Sequence, residues 1–196
     1  MVLERRLASK PEFFCEVIAA IFRSDKDERT EREVTDTEKN IARNAYHLLH
    51  GWRILPGTTA DGNFDDIKFK SWLGEVKQLT SESGHIKIAM DQLGQALAYA
   101  PADPDGLWIH KTISHALDAK DVPEMRSGFT TGLFNKRGVH GFSSGKEEFR
   151  IAAMYRDKAN SLAKNGFHRI ADSVRRLAEN HERDAGRESE RDIFNE

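Results

Sequence analysis

Residues 65–80, DDIKFKSWLGEVKQLT, decide between two architectures. With a period of two, the stretch is a strand and places Glu75 and Lys77 on one face. With a period of 3.6, Phe69, Trp72, Leu73, Val76 and Leu79 fall at i, i+3, i+4, i+7 and i+10 and form one apolar stripe. The helical period gathers every large apolar side chain of the second half and leaves Lys70 and Gly74 on the wet face. Asp65 and Asp66 then stand where carboxylates accept from the unpaired amides of a first helical turn. No alternating run bounded by hairpin turn signals occurs elsewhere, so the prediction is an all-α protein.

Toward the C-terminus, Ile86, Ala89, Met90, Leu93 and Leu97 mark the next helix, stopped by Pro101. Asp103 as cap and Pro104 in the first turn predict another, with Trp108, Ile109, Ile113, Ala116 and Leu117 as its apolar set. A further helix starts at Asp121, Val122, Pro123 and Glu124 and carries Met125, Phe129 and Leu133. Residues 135–145, NKRGVHGFSSG, are glycine-rich, but Glu147 follows Gly145 and Lys146 where a phosphate loop requires Ser or Thr. They read as an exposed turn, with Ser144 and Glu147 as a capping box. Phe149, Ala152, Ala153, Arg156, Ala159 and Ala163 precede an Asn165–Gly166 stop, and Ile170, Val174, Leu177, Ala178, His181 and Ala185 follow it. Two amphipathic helices around a short turn make an αα-hairpin.

Toward the N-terminus, Thr35 and Glu38 form a capping box ahead of Ile41, Ala45, Leu48, Leu49 and Trp52. Residues 24–33, SDKDERTERE, read as a solvated, mobile loop. Ser9, Pro11 and Glu12 signal a helix start before Phe13, Phe14, Val17, Ile18, Ile21 and Phe22. The whole predicts roughly seven amphipathic helices in an irregular bundle or short solenoid-like array. Its expected divisions are a helical domain over 1–142 with a charged loop at 24–34, a C-terminal hairpin over 143–188 packed on it, and a frayed tail at 189–196.

The chain has 196 residues and a net charge of −2, with 38% hydrophobic and 32% charged residues. No run of about 20 apolar residues is present, so no membrane span is expected. The N-terminus lacks a secretory apolar region, which predicts a cytoplasmic protein. The single Cys15 excludes a disulfide framework and lies in an apolar helix, where an inert thiol is expected. Lys158, Lys164, Arg169, Arg175, Arg176 and Arg183 enrich the hairpin in positive charge, but Asp157, Asp172, Glu179 and Glu182 interleave with them. A solvated face is expected there rather than a nucleic-acid surface.

One pattern suggests catalysis. Asp66, Glu75 and Lys77, echoed by Gln92 and Tyr99, resemble the PD-(D/E)xK nuclease signature. In that arrangement the carboxylates hold Mg²⁺ and the lysine positions the attacking water. It requires the strand; on a helix Glu75 and Lys77 diverge by about 200°. His47 and His50 lie three apart on one helix but have no acidic or sulfur partner at metal-site spacing. No metal and no cofactor is expected.

The stretches EKNIARNAYHLLHGWRILPGT (38–58), YAPADPDGLW (99–108), RSGFTTGLFNKRGV (126–139) and AMYRDKANSLAKNGFHRIADSVRRLAENHERDAGRE (153–188) resemble the C-terminal helical region of large bacterial proteins of no assigned activity. The resemblance runs from about Pro11 to Glu188 and implies a helical segment that abuts other helices. The preferred expectation is a non-enzymatic interaction or scaffolding module whose partner is a protein or a second copy. Phe13, Phe14, Ile21, Phe22 and Trp108 are its candidate binding residues. The alternative is a Mg²⁺-dependent nuclease using Asp66, Glu75 and Lys77.

Overall fold

The computed structural model describes residues 2–27, 34–136 and 145–193. Among them are nine helices and no strand: α1 Val2–Ser9, α2 Pro11–Ile21, α3 Asp36–Gly51, α4 Asp66–Ser83, α5 Ile86–Leu97, α6 Lys111–Asp118, α7 Pro123–Lys136, α8 Lys146–Lys164 and α9 His168–Ile193. The protein is all-helical, as expected, with more helices than the seven foreseen. α1 carries no capping signal. Ser9 closes it rather than opening α2, which starts from Lys10 with Pro11 at its first position. The other large shift is at α6, which begins at Lys111 instead of Pro104.

Where capping chemistry is local, boundaries follow it. Thr35 Oγ1 accepts from the Glu38 amide, and the Glu38 carboxylate accepts from the Thr35 amide at 2.9 Å, the reciprocal box that starts α3. Asp65 Oδ1 accepts from the amides of Ile67 and Lys68, both at 3.0 Å, at the start of α4. At Asn165 and Gly166 the chain turns through a left-handed glycine (φ 85°), and the Phe167 amide donates back to the Leu162 carbonyl at 3.0 Å. This joins α8 to α9 as the expected hairpin. α9 continues to Ile193, so the helix extends into the segment expected to fray at 189. The expected capping Ser144 lies outside the described residues, and Gly145 stands at the N-cap of α8.

Core packing joins these elements through an aromatic cluster and a glycine seam. Phe14 on α2 meets Trp52 and Trp72 at ring-centroid distances of 5.4 and 5.2 Å, tying α2 to the end of α3 and to α4. The Trp72 indole N–H donates to the Leu7 carbonyl at 3.1 Å, which anchors α1. α5 and α7 approach more closely still, along Gly94, Gly128 and Gly132. A methyl group at Gly128 would overlap the Asp91 carbonyl, so backbone rather than side chain forms this seam. The hairpin packs on the rest through α6 and α7.

The charged loop is partly pinned. Ser24 Oγ donates to the Ser83 carbonyl at 2.7 Å, and Lys26 Nζ donates to the carbonyls of Ser81 and Glu82 at 3.1 and 2.7 Å. Lys26 thus satisfies the last turn of α4. Its neighbours 28–33 lie outside the described residues. Among the described residues no helix is long and apolar enough to cross a membrane.

Candidate functional site

The aromatic face expected on α2 turns inward. Phe14, Val17 and Ile18 are buried, and Phe13, Ile21 and Phe22 are half-buried against the same core. The apolar stripe has its partner inside the molecule, because α3, α4 and α5 cover it. Phe14 therefore cannot serve as an exposed partner contact, and this corrects the expectation. Phe13 lies under the Arg6 guanidinium, 4.2 Å from its ring centroid.

The nuclease set is not assembled. Residues 72–79 are helical within α4, so Glu75 and Lys77 leave the helix in opposed directions. Asp66 lies nine residues before Glu75, about 13.5 Å along the axis, beyond the reach of one metal ion. Asp66 Oδ1 sits 3.5 Å from His110 Nδ1, Lys77 pairs with Asp121 at 3.1 Å, and Gln92 donates to Asp91 at 3.2 Å. The charge of Glu75 on α4 reaches Cys15 on α2 and contributes to a thiol pushed from 9.0 to about 11 by burial first and then by Glu12, Glu75 and Glu16. His47 and His50 are exposed, with Tyr46 stacked on His50 at 4.0 Å. Among the described residues no group of three or more His, Cys, Asp or Glu could hold a metal ion.

Trp108, the one remaining candidate, does line a cavity. This space of about 380 Å³ opens between the end of α5, α7 and α8. Leu133, Ile109 and Ile151 form its floor, and Trp108, Tyr155 and Met154 its walls. Trp108 reaches it from the loop before α6. That loop is shaped by buried Asp103, which accepts from the Asp105 amide at 3.0 Å and the Lys111 amide at 2.8 Å. Asp103 does not open a helix at Pro104 as expected: the N-cap of α6 is His110, whose ring accepts from the Thr112 amide at 3.3 Å, and Asp103 reaches the Lys111 amide from eight residues away. Burial raises its carboxyl affinity for a proton; the two amide donors, with Lys111 and His110 beside them, outweigh that and hold it below the usual carboxylate range.

The cavity is cationic. Lys158 Nζ lies 4.6 Å from the Trp108 ring centroid and 5.4 Å from that of Tyr155. Burial, and then the charge of Lys136, pushes the Lys158 ammonium below its ordinary value. Lys136 also lines the cavity, 5.0 Å from the Tyr99 ring centroid. Among the described residues no carboxylate lies within ion-pair distance of Lys136 or Lys158. At the rim Arg150 is already paired with Glu147, Nε to Oε2 at 2.9 Å. An entering anion therefore meets two lysines that have no carboxylate in ion-pair distance among the described residues, two aromatic walls, and the Arg150–Glu147 pair at the rim; Lys136 also donates to the Ala98 carbonyl at 3.4 Å.

A second buried polar feature lies below Tyr155. His181 Nδ1 and Glu148 Oε2 are 2.7 Å apart, and the imidazole is stacked between Phe134 and Tyr155 at 5.6 and 5.7 Å. Sequence reading placed His181 on the apolar face of α9 but missed the pair, because its two members stand 33 residues apart on separate helices. Lys158 was missed for the same reason: it reads as one charge among many until Trp108 is folded over it. Compared with family models, with curated proteins and with solved structures, the chain matches none.

Proposed function

We propose that this chain is a non-enzymatic interaction module whose cavity between α5, α7 and α8 receives an acidic side chain of a partner protein. The observation that carries the reading is Lys158: a half-buried cation against two aromatic rings, beside a second lysine, with no carboxylate partner among the described residues. Burying a charge without a counter-ion is costly, and a site that carries such a cost is a candidate for function. An Asp or Glu of the partner would supply the missing charge, and an adjacent aromatic or aliphatic side chain would cover Trp108 and Met154. In this reading the helices form an irregular bundle closed by the hairpin, and the module works in the cytoplasm.

Selection of random displayed peptides on the intact protein tests the assignment. Enriched sequences should carry Asp or Glu beside an aromatic or aliphatic residue, and their binding should fall at least about tenfold in Lys158→Met. Enrichment without acidic residues, or binding that survives Lys158→Met, overturns it.

A further inference from the structure

The opposite side of α7 carries a separate groove of about 500 Å³, closed by α9. Two guanidinium groups line it, Arg126 from α7 and Arg176 from α9. Arg126 Nη1 donates to the carbonyls of Leu117 and Ala119 at 2.9 and 2.5 Å, at the end of α6. These bonds fix the guanidinium and leave Nε and Nη2 without an acceptor among the described residues. Arg176 Nε donates to the Asp172 carbonyl at 3.4 Å, and its terminal nitrogens meet no acceptor among the described residues.

The nearby carboxylates are occupied or apart. Asp118 Oδ1 accepts from the amides of Arg169 and Ile170 at 2.6 and 3.1 Å, so it caps α9. Asp172 pairs with Arg175 at 2.5 Å. Glu124 and Glu179 come within ion-pair distance of neither groove arginine. Burial lowers the proton affinity of Arg126, the charges of Asp118 and Glu124 oppose this, and Arg169 and Arg176 add to it; the balance lies below the ordinary arginine value. Exposed hydroxyls of Ser127 and Thr131 border the same space, and Phe134 and Leu177 supply an apolar wall.

We propose that the groove between α7 and α9 binds a phosphate monoester, with the phosphate between Arg126 and Arg176 and its organic part on Phe134 and Leu177. Two planar forks and two hydroxyls offer more donors than the two oxygens of a carboxylate accept, whereas a monoester phosphate presents three terminal oxygens. The organic part takes the place of water on the apolar wall. This site is independent of the cavity that holds Lys158.

Calorimetric titration of the intact protein at constant ionic strength tests the proposal, with phenyl phosphate, benzoate and a phosphotyrosine pentapeptide as probes. Phenyl phosphate should saturate, at least about tenfold tighter than benzoate. Arg176→Gln should weaken it by about tenfold or more; the side chain is exposed, so the fold is retained. Lys158→Met should leave it unchanged. Equal affinities for phenyl phosphate and the peptide assign a small organic ester; a peptide bound about tenfold tighter or more assigns a phosphorylated side chain of a protein. No saturation below about 10 mM, equal binding of benzoate, or binding untouched by Arg176→Gln overturns the proposal. So does loss of binding in Lys158→Met, which would put the anion in the other cavity.

Discussion

Trp108 and Lys158 hold each other twice. The indole N–H donates to the Lys158 carbonyl at 3.3 Å, while the Lys158 ammonium lies 4.6 Å from the indole ring centroid. The first contact fixes the ring on α8; the second places a charge on its face. Burial and Lys136 nevertheless lower the ammonium's proton affinity, so the charged form is less favourable in the folded chain than in the unfolded one. That penalty is fully present below the folded value and fades as pH rises toward the unfolded value near 10.4. Lys158→Met should therefore melt at the same or a higher temperature than the native chain at pH 7, and the difference should shrink as pH approaches 10. Thermal unfolding of both proteins across that range checks it.

The glycine seam between α5 and α7 predicts a larger effect. Gly128→Ala would drive a methyl group into the backbone of Asp91, where no side chain can rotate away. We expect a loss of about 3 kcal/mol or more in urea unfolding. Gly74→Ala is the control. Nothing lies within 4 Å of a Cβ built there, and the residue sits on the exposed face of α4. It should gain up to about 1 kcal/mol from helix propensity.

Cys15 should be a slow nucleophile. With its thiol raised to about 11, the thiolate fraction at pH 8 is about one hundredth that of an unperturbed cysteine. Reaction with a chromogenic disulfide reagent should be slower by a similar factor in the folded protein and recover on unfolding. Glu75→Gln removes one of the carboxylates that raise the thiol and should quicken the folded-state reaction by about twofold or more.

Asp103 should mark the acid limb of stability. Its carboxylate is favoured in the folded chain, so the stabilisation is complete above the unfolded value near 3.9 and is lost as pH falls through the lower folded value. Asp103→Asn should cost about 1–2 kcal/mol at pH 7. The difference from the native protein should close at the acid end, as followed by urea titrations at decreasing pH.

Local chemistry was readable in the chain; partnerships across it were not. The Thr35–Glu38 box, the Asp65 cap and the Gly166 turn each rest on residues within a few positions, and the helices they bound stand where expected. α1 was missed because its anchor, the Leu7 carbonyl, is met by Trp72, 65 positions away. The α2 stripe showed an apolar face but not what covers it: core packing was the ordinary reading, and the partner face offered at Phe14 fails because α3, α4 and α5 cover it. The Asp103 loop looked helical because cap and proline are local signals, whereas its bond to the Lys111 amide spans eight positions. Trp108 was singled out from its size and type, but the lysine that gives the cavity its charge comes from α8, and only folding brings the two together.

The glycine seam has a consequence for how the two sites relate. α7 is a partition: Leu133 and Lys136 face the cavity, while Arg126 and Phe134 face the groove. Gly94, Gly128 and Gly132 seat its backbone flush on α5, so the two sites keep a fixed separation in this structure. Two separate ligands would gain no effective concentration from one another. A single partner carrying both groups at matching separation would instead gain by avidity, with the wall between them acting as a ruler of fixed length.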